Sequence, residues 1–429
     1  MTIPRFPNRI PWTSAALFCS IALCTSSPAQ KKAPEPLPAT GPLVGHVSPD
    51  RAKLWMFIPK GAKAEVTYRP EVSAEPAATV PFASFVPFDP PAAEADGVPA
   101  IAELRGLQPD TRYRYRVQVD GKSDPRWEGS FRSAPASGSP SQFRIALTSC
   151  MRLGQPQASW YLLLAQQPDL HLTVGDTHYA DTTVPKIQWQ HHLRYRQEKE
   201  FATVLRNVPT YSMWDDHDYG PNNSDGTAKG KQNSLAGWKQ FWANPGAGTA
   251  DIPGAFYKFS RGDVDFFVVD SRYHRSPDAA PDDGDKRMLG DAQFEWLMAG
   301  LKASTAKFKV IASGSTLQTS KADGWRIYSF ARKRLLDSIK QHGISGVVYF
   351  SGDIHQSIVR EHHESDRVGY PFIEVISSGI ANSKTLSFAT IDFDTTLADP
   401  TMRVRVIHGD GTTRADQTWK LSTLGGDKP

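Results

Sequence analysis

Residues 170–181 read Leu170-His171-Leu172-Thr173-Val174-Gly175-Asp176-Thr177-His178-Tyr179-Ala180-Asp181. Five mostly apolar or β-branched residues stop at a glycine, and potential ligands follow at once, as expected of a buried strand that opens into a loop. Similar apolar runs occur at Phe143 to Leu147, Thr210 to Met213, Val264 to Val269, Phe308 to Ala312 and Val347 to Phe350. Between them lie helical patterns at Pro185 to Leu205, Gly290 to Leu301 and Trp325 to Ile339, the last two with apolar residues three and four apart. Strands alternating with helices predict an α/β catalytic layer, assigned to residues 141–425, and ligands of such folds gather at the carboxyl ends of strands.

Those ends are rich in ligand types. Ser149-Cys150 follows the first strand, Asp176 to Asp181 the second, and Trp214-Asp215-Asp216-His217-Asp218 the third; Asp270-Ser271-Arg272 and Ser351-Gly352-Asp353-Ile354-His355 follow two more. A helix N-cap would account for Asp176 or Asp353 alone. Several carboxylates at one sheet edge instead repel each other by several kcal/mol in a partly buried cleft unless cations neutralise them. Thiolate and phenolate suit a transition metal and an all-oxygen pocket suits calcium or magnesium, so the mixture predicts two kinds of ion. Cations held there would relieve the charge on a bound phosphate and ionise a water near neutral pH for in-line attack. His217 is then the candidate general acid, and Arg272 and Arg152 are the candidates for a guanidinium on the phosphate.

Ahead of this layer, residues 41–135 have period two: Tyr113, Tyr115, Val117 and Val119 alternate with Arg112, Arg114, Arg116 and Gln118. With turns at Pro109-Asp110 and Asp120-Gly121, this predicts a small antiparallel sandwich, and Leu104 to Tyr113 resembles the fibronectin type III pattern. Further upstream, Arg5 and Arg9, the apolar run Ala15 to Thr25 and Ser27-Pro28-Ala29 read as a cleaved signal peptide over 1–29, without an Arg-Arg pair, followed by a Pro-rich spacer over 30–40. No run approaches the roughly 20 apolar residues of a membrane-crossing helix. Secretion or delivery to the periplasm is expected, and a lipoprotein anchor at Cys24 is disfavoured by the bulky Leu23 before it. Cys150 then remains as the single thiol of the mature chain, a metal ligand or a small buried hydrophobe. The net charge of +4 falls by two with Arg5 and Arg9, and the basic residues are dispersed, which argues against a nucleic-acid surface.

Ser149-Cys150, Gly175-Asp176-x-x-Tyr179-x-Asp181, Trp214 to Asp218 with Asn222-Asn223, and Ser351 to His355 resemble, in order and spacing, the PhoD-type alkaline phosphatases. The resemblance implies a β-sandwich before a calcineurin-like metallophosphoesterase layer that hydrolyses phosphate mono- and diesters with iron(III) and one or two calcium ions. It implies that Cys150, Asp176 and Tyr179 bind iron, with Asp176 bridging, and that His217 contacts phosphate or leaving group. Asp216 takes the place of an asparagine ligand, with Asn222 or Asn223 as the alternative. Asp353 and His355 take the two positions of a Gly-His-x-His motif, and the aspartate draws the second site toward oxygen-loving calcium.

A phospholipase or nuclease on the same metals is the alternative within enzymes, and a non-catalytic cell-surface binding protein the rival outside them. The expected partners are small phosphate esters and the expected state is a monomer. Arg261-Gly262-Asp263 reads as a turn, Trp238 and Trp242 as helix core, and the pairs His191-His192 and His362-His363 as solvent-exposed.

Overall fold

The computed structural model describes residues 39–72, 77–85, 96–318 and 323–426. The expected signal peptide and all but the end of the spacer lie outside them. Eight strands come first: β1 (Thr40–Val47), β2 (Arg51–Pro59), β3 (Ala64–Pro70), β4 (Ala78–Pro81), β5 (Ala83–Ser84), β6 (Gly97–Arg105), β7 (Arg112–Val119) and β8 (Lys122–Arg132). They form two four-stranded antiparallel sheets, β1-β2-β6-β5 and β4-β3-β7-β8. The alternation in β7 has its expected cause: Tyr113, Tyr115, Val117 and Val119 are buried, while Arg112, Arg114 and Arg116 face solvent. The Tyr113 hydroxyl accepts the Gln108 N–H at 2.8 Å and so ties down the turn before its own strand.

Twelve more strands make two six-stranded sheets. One runs β11 (Thr210–Met213), β10 (Leu170–Val174), β9 (Gln142–Thr148), β18 (Ser387–Asp394), β19 (Thr401–His408) and β20 (Thr413–Lys420). The other runs β12 (Tyr257–Arg261), β13 (Val264–Val268), β14 (Phe308–Ala312), β15 (Val347–Ser351), β17 (Ile373–Ser377) and β16 (Ser357–Glu361). Within them β9, β10 and β11 are parallel, as are β13, β14, β15 and β17. Their continuous apolar runs follow from burial on both faces. Phe266, Val310 and Val348 enter a core shared with Ile145, Leu172 and Ile391 of the first sheet. Phe267, Ile311 and Tyr349 point the other way, against two helices, Asp291–Ala303 and Ser329–Gln341. Every fully buried Val, Leu, Ile or Phe here contributes about 1.5–3 kcal/mol.

The helix expected over Pro185 to Leu205 is two helices, Pro185–Arg196 and Lys199–Asn207, with Glu198 extended between them. The break lets buried Arg196 lie 4.3 Å over the Trp242 ring and 5.0 Å over Trp55 of β2, while its Nη2 donates to the Phe241 carbonyl. Trp55 Nε1 also donates to the Gln240 carbonyl at 2.7 Å, which fixes the first sheets against the later layers. The expectation for the paired histidines is corrected: His192 is buried, stacked between His178 and Phe241, and His362 is buried too, its pKa pushed down to about 4 chiefly by that burial. Trp238 and Trp242 are core, and Arg261-Gly262-Asp263 turns between β12 and β13. Among the described residues no helix is long and apolar enough to cross a membrane.

Candidate metal centre

Both parallel sets present their carboxyl ends to one cleft, and the backbone there is forced into an uncommon shape. Ten non-glycine described residues have positive φ, and seven of them are Cys150, Asp176, Tyr179, Asp181, Asn223, Asp353 and His355. Left-handed backbone costs an L-residue roughly 1–2 kcal/mol, so its concentration here marks a place where side-chain direction prevails over local comfort. Two glycines let the loops close: a Cβ on Gly175 would lie 2.5 Å from the Asp215 Cβ, and one on Gly314 would lie 2.5 Å from its Cγ.

Cys150 Sγ donates to Asp176 Oδ2 at 3.3 Å, and the Tyr179 hydroxyl reaches the same oxygen at 3.4 Å and His355 Nε2 at 3.5 Å. Three sets of side chains bring one donor atom each within 4.8 Å of one another: Cys150, Asp176 and His355; Asp176, Asp216 and His217; and Asp176, Asp215, Asp216 and Asp353. Asp176 belongs to all three. Burial, then the neighbouring Cys150, Asp216 and Asp215, hold its carboxyl well above the usual carboxylate range, and burial raises Asp215, Cys150 and Tyr179 likewise. Two carboxylates 4 Å apart repel by about 4 kcal/mol at an effective dielectric constant of 20. Asp176 Oδ1 and Asp215 Oδ2 are buried with no hydrogen-bond partner among the described residues. Buried oxygens are otherwise satisfied almost everywhere in proteins, so this donor set fits cations.

The Trp214 to Asp218 run divides its labour because Asp216–Tyr219 forms a single helical turn, which points successive side chains about 100° apart. Asp216 enters the cluster and His217 faces the cleft. Asp218 turns back to accept the Thr177 and His178 N–H groups at 2.8 and 2.9 Å, thereby holding the loop that carries Asp176 and Tyr179. Asn223 meets the cluster through its main chain, its N–H donating to Asp216 Oδ2 at 2.7 Å.

Arg272 requires a correction. Its side chain is fully buried, with Nε donating to Asp215 at 2.6 Å and Nη2 to Asp323 at 2.9 Å, so it does not offer its fork to a phosphate. It neutralises part of the acidic cluster from behind. Arg272→Met should therefore cost about 3–5 kcal/mol by stranding two buried carboxylates, read as a lowered denaturant midpoint in the presence of metals. Arg152 is exposed at the rim, its guanidinium 6.0 Å from the Tyr179 ring centre.

His217 Nδ1 bonds the Asp181 carboxylate, and its ring packs 4.4 Å from Tyr179. Sequence reasoning left out Asp215 and Asp181 as functional residues although both stood in the motifs. It also passed over Asn382, whose Nδ2 donates to the Tyr179 hydroxyl at 2.9 Å and lies 3.0 Å from His355 Nε2, and Ser378, whose Oγ is 3.0 Å from Cys150 Sγ. No short motif announces these last two.

The family model for PhoD-like phosphatases matches residues 145–406. Alkaline phosphatase D of Bacillus subtilis (strain 168) is 23% identical over 309 residues, 59% of this chain and 53% of that protein, so the chain spans about half the length of this curated relative. A solved structure of PhoD superposes with a TM-score of 0.68 at 18% identity, covering 89% of this chain and 92% of that one. A purple acid phosphatase from yellow lupin seeds gives 0.66 at 13% identity, covering 89% and 74%. These two likenesses concern the fold. The family match runs from β9 to β19 and takes in every strand end that builds the cluster, and on that ground the chain belongs to the PhoD-like phosphatase family.

Proposed function

We propose that this chain is an exported, metal-dependent phosphatase acting on phosphomonoesters and phosphodiesters. The observation that carries the reading is the position of Asp176 in all three ligand sets, which suits a carboxylate shared between cations. Cys150, Tyr179 and His355 around it supply sulfur, phenol and imidazole, the donors of iron(III), whereas Asp215, Asp216 and Asp353 supply oxygen alone, as calcium prefers. When bound, these ions would stabilise charge on a phosphoryl group and make a nucleophile available at neutral pH.

The chain's own residues do the rest. Asp181 on Nδ1 of His217 leaves the opposite ring nitrogen to carry a proton toward the departing oxygen. Arg152 at the rim is the remaining candidate for a guanidinium on the phosphate. Asn382 fixes the phenol of Tyr179 and the ring of His355 relative to each other. A monomer with a sandwich domain over 41–135 and a catalytic domain over 141–425 completes the reading.

The test is elemental analysis of protein from its native host, paired with hydrolysis of nitrophenyl phosphate and bis(nitrophenyl) phosphate. Iron and calcium are expected together. A calcium-selective chelator should remove activity, and added calcium, not zinc, should restore it. Full activity after exhaustive removal of calcium would falsify the assignment of the oxygen-only set.

A further inference from the structure

A groove of about 880 Å³ leaves the cluster on the side of His355 and Asn382. That is far more room than a phosphate needs and lies within the range of sites for whole small ligands. Its walls differ in character from the cleft. Gln155, Gln356, Ser383, Thr385 and His408 give amides, hydroxyls and an imidazole, and no described residue lining it is acidic or a Phe, Tyr or Trp. The one full cation among them is Lys384, which is exposed and has no ion pair among the described residues.

Lys384 follows Asn382 by two residues, so at most about 7 Å of main chain separates the cation's Cα from that of the side chain that bonds Tyr179 and His355. The acidic cluster thus adjoins, through His355, a groove whose full charge among its described lining residues is positive. Apart from Ile354 the side chains on this wall are polar or small, and a small alcohol bearing an anion finds hydrogen-bond donors and an unneutralised ammonium there.

We propose that this groove receives the second alcohol of a phosphodiester, and that Lys384 selects alcohols carrying an anionic group of their own, a carboxylate or a further phosphate. The proposal rests on the phosphoesterase reading for the cluster and adds the class of diester preferred.

The experiment compares ethyl, 2-carboxyethyl and 2-phosphonoethyl 4-nitrophenyl phosphates on the metal-loaded protein. All three release the same nitrophenolate, so they differ only in what enters the groove. The expected result is a kcat/KM about tenfold higher for either anionic ester than for the ethyl ester, a ratio near one in Lys384→Gln, and a retained preference in Lys384→Arg. A preference for one anionic ester over the other identifies which anion the groove was shaped for. A wild-type ratio near one, or a ratio that Lys384→Gln does not change, overturns the proposal.

Calorimetric binding of ethylphosphonate and 2-carboxyethylphosphonate, whose C–P bonds a phosphatase does not cleave, reads the groove on the same proteins without turnover. Tighter, Lys384-dependent binding of the carboxyethyl compound supports the subsite even if no diester is hydrolysed, in which case it is the phosphoesterase reading that fails. Equal binding of the two compounds overturns the subsite whatever the activity.

Discussion

Asp176→Asn should leave a folded protein whose kcat/KM on phosphate esters is lower by about 10³-fold or more. The amide has the shape of the carboxylate but no charge, and it cannot serve two cations at once. Several kcal/mol of charge stabilisation disappear with it, at about 1.4 kcal/mol per tenfold in rate. The same change should act in the opposite direction on the stability of the chelated protein. Burial and the neighbouring Cys150 and Asp216 raise the Asp176 carboxyl well above its ordinary value. A carboxyl whose folded pKa is raised stabilises fully below the unfolded pKa of about 3.9 and loses that contribution as pH rises through the folded value. Relative to chelated wild-type protein, Asp176→Asn should therefore melt higher at neutral pH, by a margin that shrinks toward acid. With metals present the order should reverse. Retained activity with undiminished metal content would remove Asp176 from the centre of the site.

The gathering of candidate ligands at the strand ends was legible because its signal is local: an apolar run such as Leu170 to Val174 followed directly by Gly175-Asp176 carries its meaning within a few residues. Arg272 was misread because its meaning is not local. A charged residue after a strand is exposed by default, and the two acids that bury it, Asp215 and Asp323, lie 57 and 51 positions away. His192 was misread for the same reason, since its ring is flanked by His178 and Phe241 from separate segments. The break at Glu198 depends on where Arg196 packs, which no periodicity records. Asn382 and Gly314 act through close approach to loops that follow strands of the other sheet, far away in sequence. By contrast, the meander β18 to β20 was overlooked although Arg403 to Val406 alternates in plain view.

His217→Asn should keep the metals and slow turnover by about 10² to 10⁴ fold, the range for loss of a general acid. Its ring is held between the Tyr179 face and the Asp181 carboxylate, so the side chain is oriented before substrate arrives. If its task is to protonate the departing oxygen, the loss must depend on that oxygen. A nitrophenolate leaves without help, and its ester should suffer least; an alkyl ester, whose alkoxide is a poor leaving group, should suffer most. Asp181→Asn should follow the same order with a smaller loss, because the amide can still bond the ring at Nδ1 but holds it less firmly than the carboxylate does. Asp181 lies half exposed, which keeps its share modest. Equal losses on both esters in His217→Asn would mean that the imidazole binds phosphate oxygens in ground state and transition state alike, and the proton would have to come from elsewhere in the cleft.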